Sequence, residues 1–206
     1  VSPEIAAAAE PGAAPAEEDH AAPKLYLRFG AGFGFPFGPD VADNYDDRGN
    51  DALHFSGYSL AVDVMAGAAV LRGLVVGGGW ASDTVAGGTV RMGNADKHGL
   101  QHSLYYAVIG GFADFYTSPP AGLHFQVLLG LARLSQAQDL GLNTAVGFGT
   151  LLGVGYELPV GRRWNIGALA RLAFSPLGMN RVAGQQPSPT FYEPSLLWTA
   201  TFRPEW

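Results

Sequence analysis

The chain has 206 residues, no cysteine and a formal net charge of −6 at pH 7. Disulfide frameworks and thiolate metal sites are therefore excluded, and a nucleic-acid surface, which needs clustered Lys and Arg, is disfavoured. Charged residues make up only 15% of the sequence, against roughly 25% in an average soluble domain, and glycine reaches 29 residues; such a chain suits a barrel whose outside meets lipid.

The sequence does not open on Met or on a charged-then-apolar segment, so an exported protein is read here in its mature form. The longest uncharged stretches, such as residues 144–156, break every few residues at Gly and fall short of the ~18–20 apolar residues of a spanning helix. Residues 1–23 are rich in Ala, Pro and Glu, with five acidic residues and no basic one. Too little apolar surface is available there to offset ordering entropy, and a flexible N-terminal extension is predicted, with the barrel occupying residues 24–206.

From Lys24 onward the residues alternate with period two, the mark of strands with unlike faces. In the first segment Leu25, Leu27, Phe29, Ala31, Phe33 and Phe35 share one face; Tyr26, Arg28, Gly30, Gly32 and Gly34 share the other. The second, 58–67, sets Tyr58, Leu60, Val62 and Val64 against Ser59, Ala61 and Asp63. In the third, 74–85, Leu74, Val76 and Trp80 share a face but the alternation is weak, and the fourth, 102–115, is apolar on both sides; the facing of both stays open. The fifth opposes Leu123, Phe125, Val127, Leu129 and Leu131 to His124, Gln126, Leu128, Gly130 and Ala132. The sixth opposes Val146, Phe148, Leu152, Val154, Tyr156 and Leu158 to Gly147, Gly149, Gly153, Gly155 and Glu157. In the seventh, Trp164, Ile166, Ala168, Ala170, Leu172 and Phe174 oppose Asn165, Gly167, Arg171 and Ser175. The last sets Leu196, Trp198, Ala200 and Phe202 against Ser195, Thr199, Thr201 and Arg203. Eight segments result, each near the ~9–11 residues of a tilted membrane strand.

The connections carry the strongest signal. Those after segments one, three, five and seven (36–55, 86–101, 135–144 and 176–192) are long and polar, and those after two, four and six (69–73, 116–122 and 159–163) are short. Bacterial barrels have long external loops and short periplasmic turns, so both termini are expected in the periplasm. Tyr26, Phe35, Trp80, Tyr116, Trp164, Tyr192, Trp198 and Trp206 are assigned to interfacial girdles at the edges of the lipid-facing surface.

An eight-fold alternation fits either a soluble lipocalin-like barrel with its apolar face inward or a membrane barrel with that face outward. The other face decides: it is mainly Gly, Ser, Thr, Ala and isolated charges, bare for a solvated exterior but suited to a narrow lumen that side chains must fill. The charges on it, Arg28, Asp63, Glu157, Arg171, Glu193 and Arg203, are mixed in sign and are expected to pair in the lumen. The fold class is accordingly all-β: an eight-stranded antiparallel up-and-down transmembrane β-barrel.

The stretches IGGFADFYTSPPAGLHFQVLLGLARL, GFGTLLGVGYELPVGRRWNIGALARLAF and LLWTATFRPEW, roughly the second half of the chain, resemble the small outer-membrane barrels of the OmpA and OmpX type, and most closely a group of barrel proteins seen in myxobacteria. The resemblance implies residence in the outer membrane of a Gram-negative bacterium, contact with its lipids and lipopolysaccharide, and insertion by the barrel-assembly machinery. That machinery reads a terminal aromatic with the last strand, a pattern that Trp206, Phe202, Ala200 and Trp198 resemble. Pro204 departs from it, because it brings no N–H to the ladder, and pairing is expected to stop near Arg203.

Candidate chemistry is sparse. Asp40, Asp43, Asp46, Asp47 and Asp51 enrich the first long loop in oxygen ligands, but the position of the EF-hand glycine, counted from Asp43, is Arg48; a solvated loop is the expectation, with no metal and no cofactor. His102 and Ser103, near His98 and Asp96, suggest an esterase pair, yet strand neighbours point to opposite faces. His54 and Ser56 have the right parity without an evident acid partner. Arg91, Lys97, Arg133 and Arg181 fall in or near the external loops, where lipopolysaccharide phosphates are possible partners and plain solubilising charge is the commoner role. The Gly runs (GAGFGF, VVGGGW, GFGTLLGVG) open no helix after a strand, so a dinucleotide fingerprint is rejected. The expectation is a non-enzymatic membrane protein with a structural, adhesive or loop-binding role and a filled lumen. A barrel passing small solutes or lipids through a partly open lumen is the alternative, and a lipid A esterase a distant third; the sequence does not specify the oligomeric state.

Overall fold

Side chains that alternate between large apolar and small or polar cannot bury one stripe of a helix, but they can give a sheet two unlike faces. In a computed structural model, which describes residues 24–36, 41–43, 51–92, 98–99, 103–119, 122–136, 145–179 and 190–203, eight strands do this. They are β1 (Lys24–Gly34), β2 (Asp51–Leu71), β3 (Leu74–Met92), β4 (Leu104–Tyr116), β5 (Gly122–Gln136), β6 (Ala145–Pro159), β7 (Trp164–Met179) and β8 (Thr190–Phe202). Each pairs antiparallel with the next in sequence, and β1 pairs with β8 from Leu27↔Phe202 to Gly34↔Ser195, which closes the sheet. Closure leaves no edge of unpaired backbone groups, the condition for a sheet to sit in hydrocarbon.

The strands run from 11 to 21 residues, and all but β1 and β4 are longer than the segments read from the sequence. Residues 51–55 and 86–92, expected in loops, pair with each other in the β2–β3 hairpin, for example Leu53↔Met92 and Phe55↔Val90. Once a hairpin is started, continued pairing satisfies backbone groups that would otherwise need water. The short strands Val41–Asp43 and His98–Gly99 pair onto β2 and β3 at the same end. The contrast between long and short connections survives: β2 and β3 are joined by Arg72 and Gly73 alone. Gly73 has φ of 84°, and a Cβ there would lie 2.7 Å from the carbonyl oxygen of Tyr116, whose own N–H donates to the Gly73 carbonyl. Only glycine fits that turn without strain.

Cross-strand partners share a face, so register settles the two strands whose facing the sequence left open. Trp80 lies between Val64 and Ile109, and Ile109 is 62% exposed, which puts all three outside. Val75, Ala81, Asp83 and Val85 of β3, with Tyr106, Val108, Phe112, Asp114 and Tyr116 of β4, point inward and are buried. The outer face is apolar on every strand, with Phe29, Leu60, Leu131, Phe148, Leu152, Ile166 and Trp198 all strongly exposed. Inside, Met65, Val108, Leu128 and Leu151 belong to one apolar cluster and Ala61, Leu169 and Leu197 to another. Glycines make room for them: a Cβ at Gly79 would sit 2.0 Å from the Met65 sulfur.

The ends of the closing seam have local causes. Phe35 N–H donates to the Pro194 carbonyl at 3.0 Å, but Pro194 has no N–H to return, and the regular β1–β8 ladder stops at Gly34. At the other end β8 stops at Phe202, and Arg203 N–H donates to the carbonyl of Arg163. The N-terminal extension of residues 1–23 and the final residues 204–206 lie outside the described residues.

Candidate functional site: a buried polar network across the lumen

Inward positions on a closed eight-stranded barrel converge on one narrow axis, so polar residues far apart in sequence meet there. Arg28 on β1 is fully buried. Its Nη1 donates to Asp114 Oδ2 at 3.0 Å and its Nη2 to Asp63 Oδ2 at 3.3 Å. Asp63 is shared: Arg171 Nη1 lies 3.9 Å from the same oxygen, while Arg171 Nη2 donates to Asp83 Oδ1 at 2.6 Å and Nε to Ser195 Oγ at 3.0 Å. An unbroken ladder of alternating charge, Asp114–Arg28–Asp63–Arg171–Asp83, therefore runs along the lumen.

Toward the short-turn end the ladder spreads. Asp114 also accepts from Tyr26 Oη at 3.0 Å and pairs through Oδ1 with His124 Nδ1 at 2.7 Å. The imidazole stacks on Tyr116, with ring centroids 4.9 Å apart and planes 9° from parallel. Tyr116 Oη lies 3.2 Å from Tyr26 Oη and donates to Glu157 Oε2 at 3.3 Å. Glu157 accepts further bonds from Asn165 Nδ2 at 3.1 Å and Thr201 Oγ1 at 2.5 Å, and Arg203 Nε donates to Asn165 Oδ1 at 2.9 Å. Toward the long-loop end Glu193 accepts from Ser59, and Tyr106 bonds Ser175 while stacking on Phe191 at 4.2 Å.

Of the six charges singled out in the sequence, Arg28, Asp63 and Arg171 thus lie in one ladder. Glu157 and Arg203 meet through Asn165, not directly, and Glu193, which accepts from Ser59, lies against Asp83 at the end of the ladder. Asp83, Asp114, His124 and Tyr106 are not among the residues singled out from the sequence. Asp114 lay in a segment of open facing and Asp83 in the weakest alternation; the available signal was the short β4–β5 connection, which brings Tyr116 opposite His124 and Asp114 opposite Gln126.

The interfacial assignment of Tyr26 and Tyr116 is corrected: both are buried, at 0% and 3% exposure, and point inward. They share the parity of Arg28 and Asp114, and a buried phenol needs a polar partner of the kind the lumen supplies. Trp80 and Trp198 face outward but in mid-strand; Trp198 sits between Ala31 and Ala168, four residues before the end of β8, where a large ring covers two small neighbours. Phe35 and Trp164 are exposed beside strand ends, and Tyr192 is half-buried near the start of β8. Trp206 lies outside the described residues.

The loop candidates lie mostly outside the described residues: Asp40, Asp46, Asp47, Asp96, Lys97, His102 and Arg181, with the side chains of Asp43, Asp51, His54, Ser56, Arg91 and His98. Ser103 is half-buried just before β4, and Arg133 is exposed on the outer face of β5. Among the described residues no three His, Asp or Glu side chains gather as a metal site.

No protein-family model matches the sequence, and no curated protein matches it either. Solved structures do. Neisserial surface protein A superimposes with a TM-score of 0.52 at 17% identity, covering 87% of this chain and 96% of that one. The outer-membrane protein OprG from Pseudomonas aeruginosa gives a TM-score of 0.52 at 10% identity, with 88% and 97% covered. With its apolar exterior and polar, packed interior, the chain has the fold of the small eight-stranded outer-membrane β-barrels.

Proposed function

We propose that this chain is an integral protein of a Gram-negative outer membrane, with both termini in the periplasm, which acts through the loops it presents outside and passes nothing through its centre. The ladder from Asp114 to Asp83 carries this reading, because its five side chains are fully shielded from solvent and span the lumen. A solute crossing the barrel would have to break buried ion pairs, and leaving one partner of such a pair uncompensated costs about 3–5 kcal/mol. The role is structural or adhesive, with outer-membrane lipids and lipopolysaccharide as surroundings, Arg133 on the outer face as a phosphate contact, and the barrel-assembly machinery as the inserting partner. Its likeness to myxobacterial barrel proteins belongs to the same reading, as does a non-enzymatic role.

Single-channel recording in planar bilayers tests it: the folded protein is expected to leave the bilayer silent, and steady openings would overturn the reading. The alternative of a partly open lumen is favoured by one observation. Asp63 Oδ1, Gln126 Nε2 and Thr199 Oγ1 are buried without a protein partner, as groups bordering a hydrated path would be. The same recording separates the two.

A further inference from the structure

Charge is distributed unevenly among the described residues. Every carboxylate whose side chain is described (Asp63, Asp83, Asp114, Glu157 and Glu193) is buried in the lumen. The turn between β6 and β7, by contrast, exposes Arg162 and Arg163 side by side. The N–H of Arg203 bonds to the carbonyl of Arg163 at 2.9 Å, which ties this turn to the end of β8, while the Arg203 side chain turns inward to Asn165. Here the apolar exterior stops: Leu158 and Val160 are exposed at its edge, and Trp164 lies edge-on to Phe202 with ring centroids 5.5 Å apart. The Arg163 guanidinium sits over the Phe202 ring, 5.9 Å from its centroid.

We propose that Arg162 and Arg163, framed by Trp164 and Phe202, bind the phosphate of an anionic membrane phospholipid at the short-turn face of the barrel. A planar guanidinium presents paired N–H donors to phosphate oxygens, and one already laid on an aromatic ring loses less freedom when it does so. Tryptophan beside arginine at the end of an apolar band is the composition of the headgroup layer. A lipid fits better than a free anion because the adjoining Leu158 and Val160 offer acyl chains an apolar wall. The site is independent of whether the lumen conducts.

The test uses the full chain, folded into nanodiscs of phosphatidylcholine doped with phosphatidylglycerol, with bound lipid counted by native mass spectrometry after detergent exchange. The wild type is expected to retain phosphatidylglycerol over phosphatidylcholine, the preference falling as salt rises. The double variant R162Q/R163Q should weaken retention roughly fivefold for each arginine replaced. R162K/R163K, which keeps the charge, should retain most of it, and R72Q, at the exposed β2–β3 turn, should match the wild type. Equal retention of the two lipids by the wild type would overturn the proposal, as would undiminished retention in R162Q/R163Q or an equal loss in R72Q. Inorganic phosphate should not displace the lipid; displacement would mean a free-anion site and also overturn it. A heat-induced gel shift confirms that each variant is folded, and if the glutamine variant is not, the lysine variant and the salt dependence of the wild type decide.

Discussion

The two halves of the lumen are built from the same residue types but satisfy them unequally. Near the short turns Asp114 receives Arg28, Tyr26 and His124, and Glu157 receives Tyr116, Asn165 and Thr201. Near the long loops Asp83 has one donor, Arg171, and Glu193 one donor, Ser59, and the two carboxyl groups lie against each other. A buried carboxylate with three donors is held in one geometry, whereas one with a single donor can rearrange at small cost. The difference teaches that a buried carboxylate rigidifies a barrel by the number of donors it receives, even where Arg28 Nε and His124 Nε2 beside it have no protein partner. The short-turn half is the fixed end and the long-loop half the adaptable one.

The largest break in that contrast is expected from Asp114→Ala, which strips Arg28, Tyr26 and His124 of their common acceptor. It should cost about 3–5 kcal/mol in urea unfolding of the detergent-folded protein, followed by tryptophan fluorescence. Arg171→Met removes the cation that links Asp63 to Asp83; a loss of about 2–4 kcal/mol, smaller than for Asp114→Ala, is expected in the same assay, since Asp63 keeps Arg28. Gly155→Ala should be next. Its Cβ would stand 2.1 Å from His124 Nε2, forcing the imidazole off Asp114 at about 1–3 kcal/mol. Gly78→Ala, where the nearest atom would be 3.9 Å away, should by comparison unfold within about 0.5 kcal/mol of the wild type. Among the charged residues the smallest effect is expected from Glu193→Gln, which keeps an acceptor for Ser59 in the adaptable half and should shift unfolding by less than about 1 kcal/mol. A loss for Glu193→Gln as large as for Asp114→Ala would erase the distinction between the halves.

Particular residues show where sequence reading reached and where it stopped. Leu25 to Phe35, or Val146 to Leu158, declare their faces outright, because period two with bulky apolar residues on one side has one consistent burial. The fourth segment did not, since Tyr105, Ala107 and Ile109 are no more apolar than Tyr106, Val108 and Phe112; only pairing against β3 and β5 orients it. Tyr26 was misassigned for a related reason: nearness to a segment end was given more weight than its parity with Arg28.

What the chain determined by itself is therefore local in cause: the faces of six strands, the number of strands, the contrast between long and short connections and the polar character of the interior all follow from side-chain alternation and turn chemistry. What only the tertiary structure decided is which polar groups touch. Arg28 meets Asp114 across 86 residues and Arg171 meets Asp83 across 88. Contacts across a closed lumen depend on the register accumulated through every intervening turn and bulge, a sum that no single segment contains.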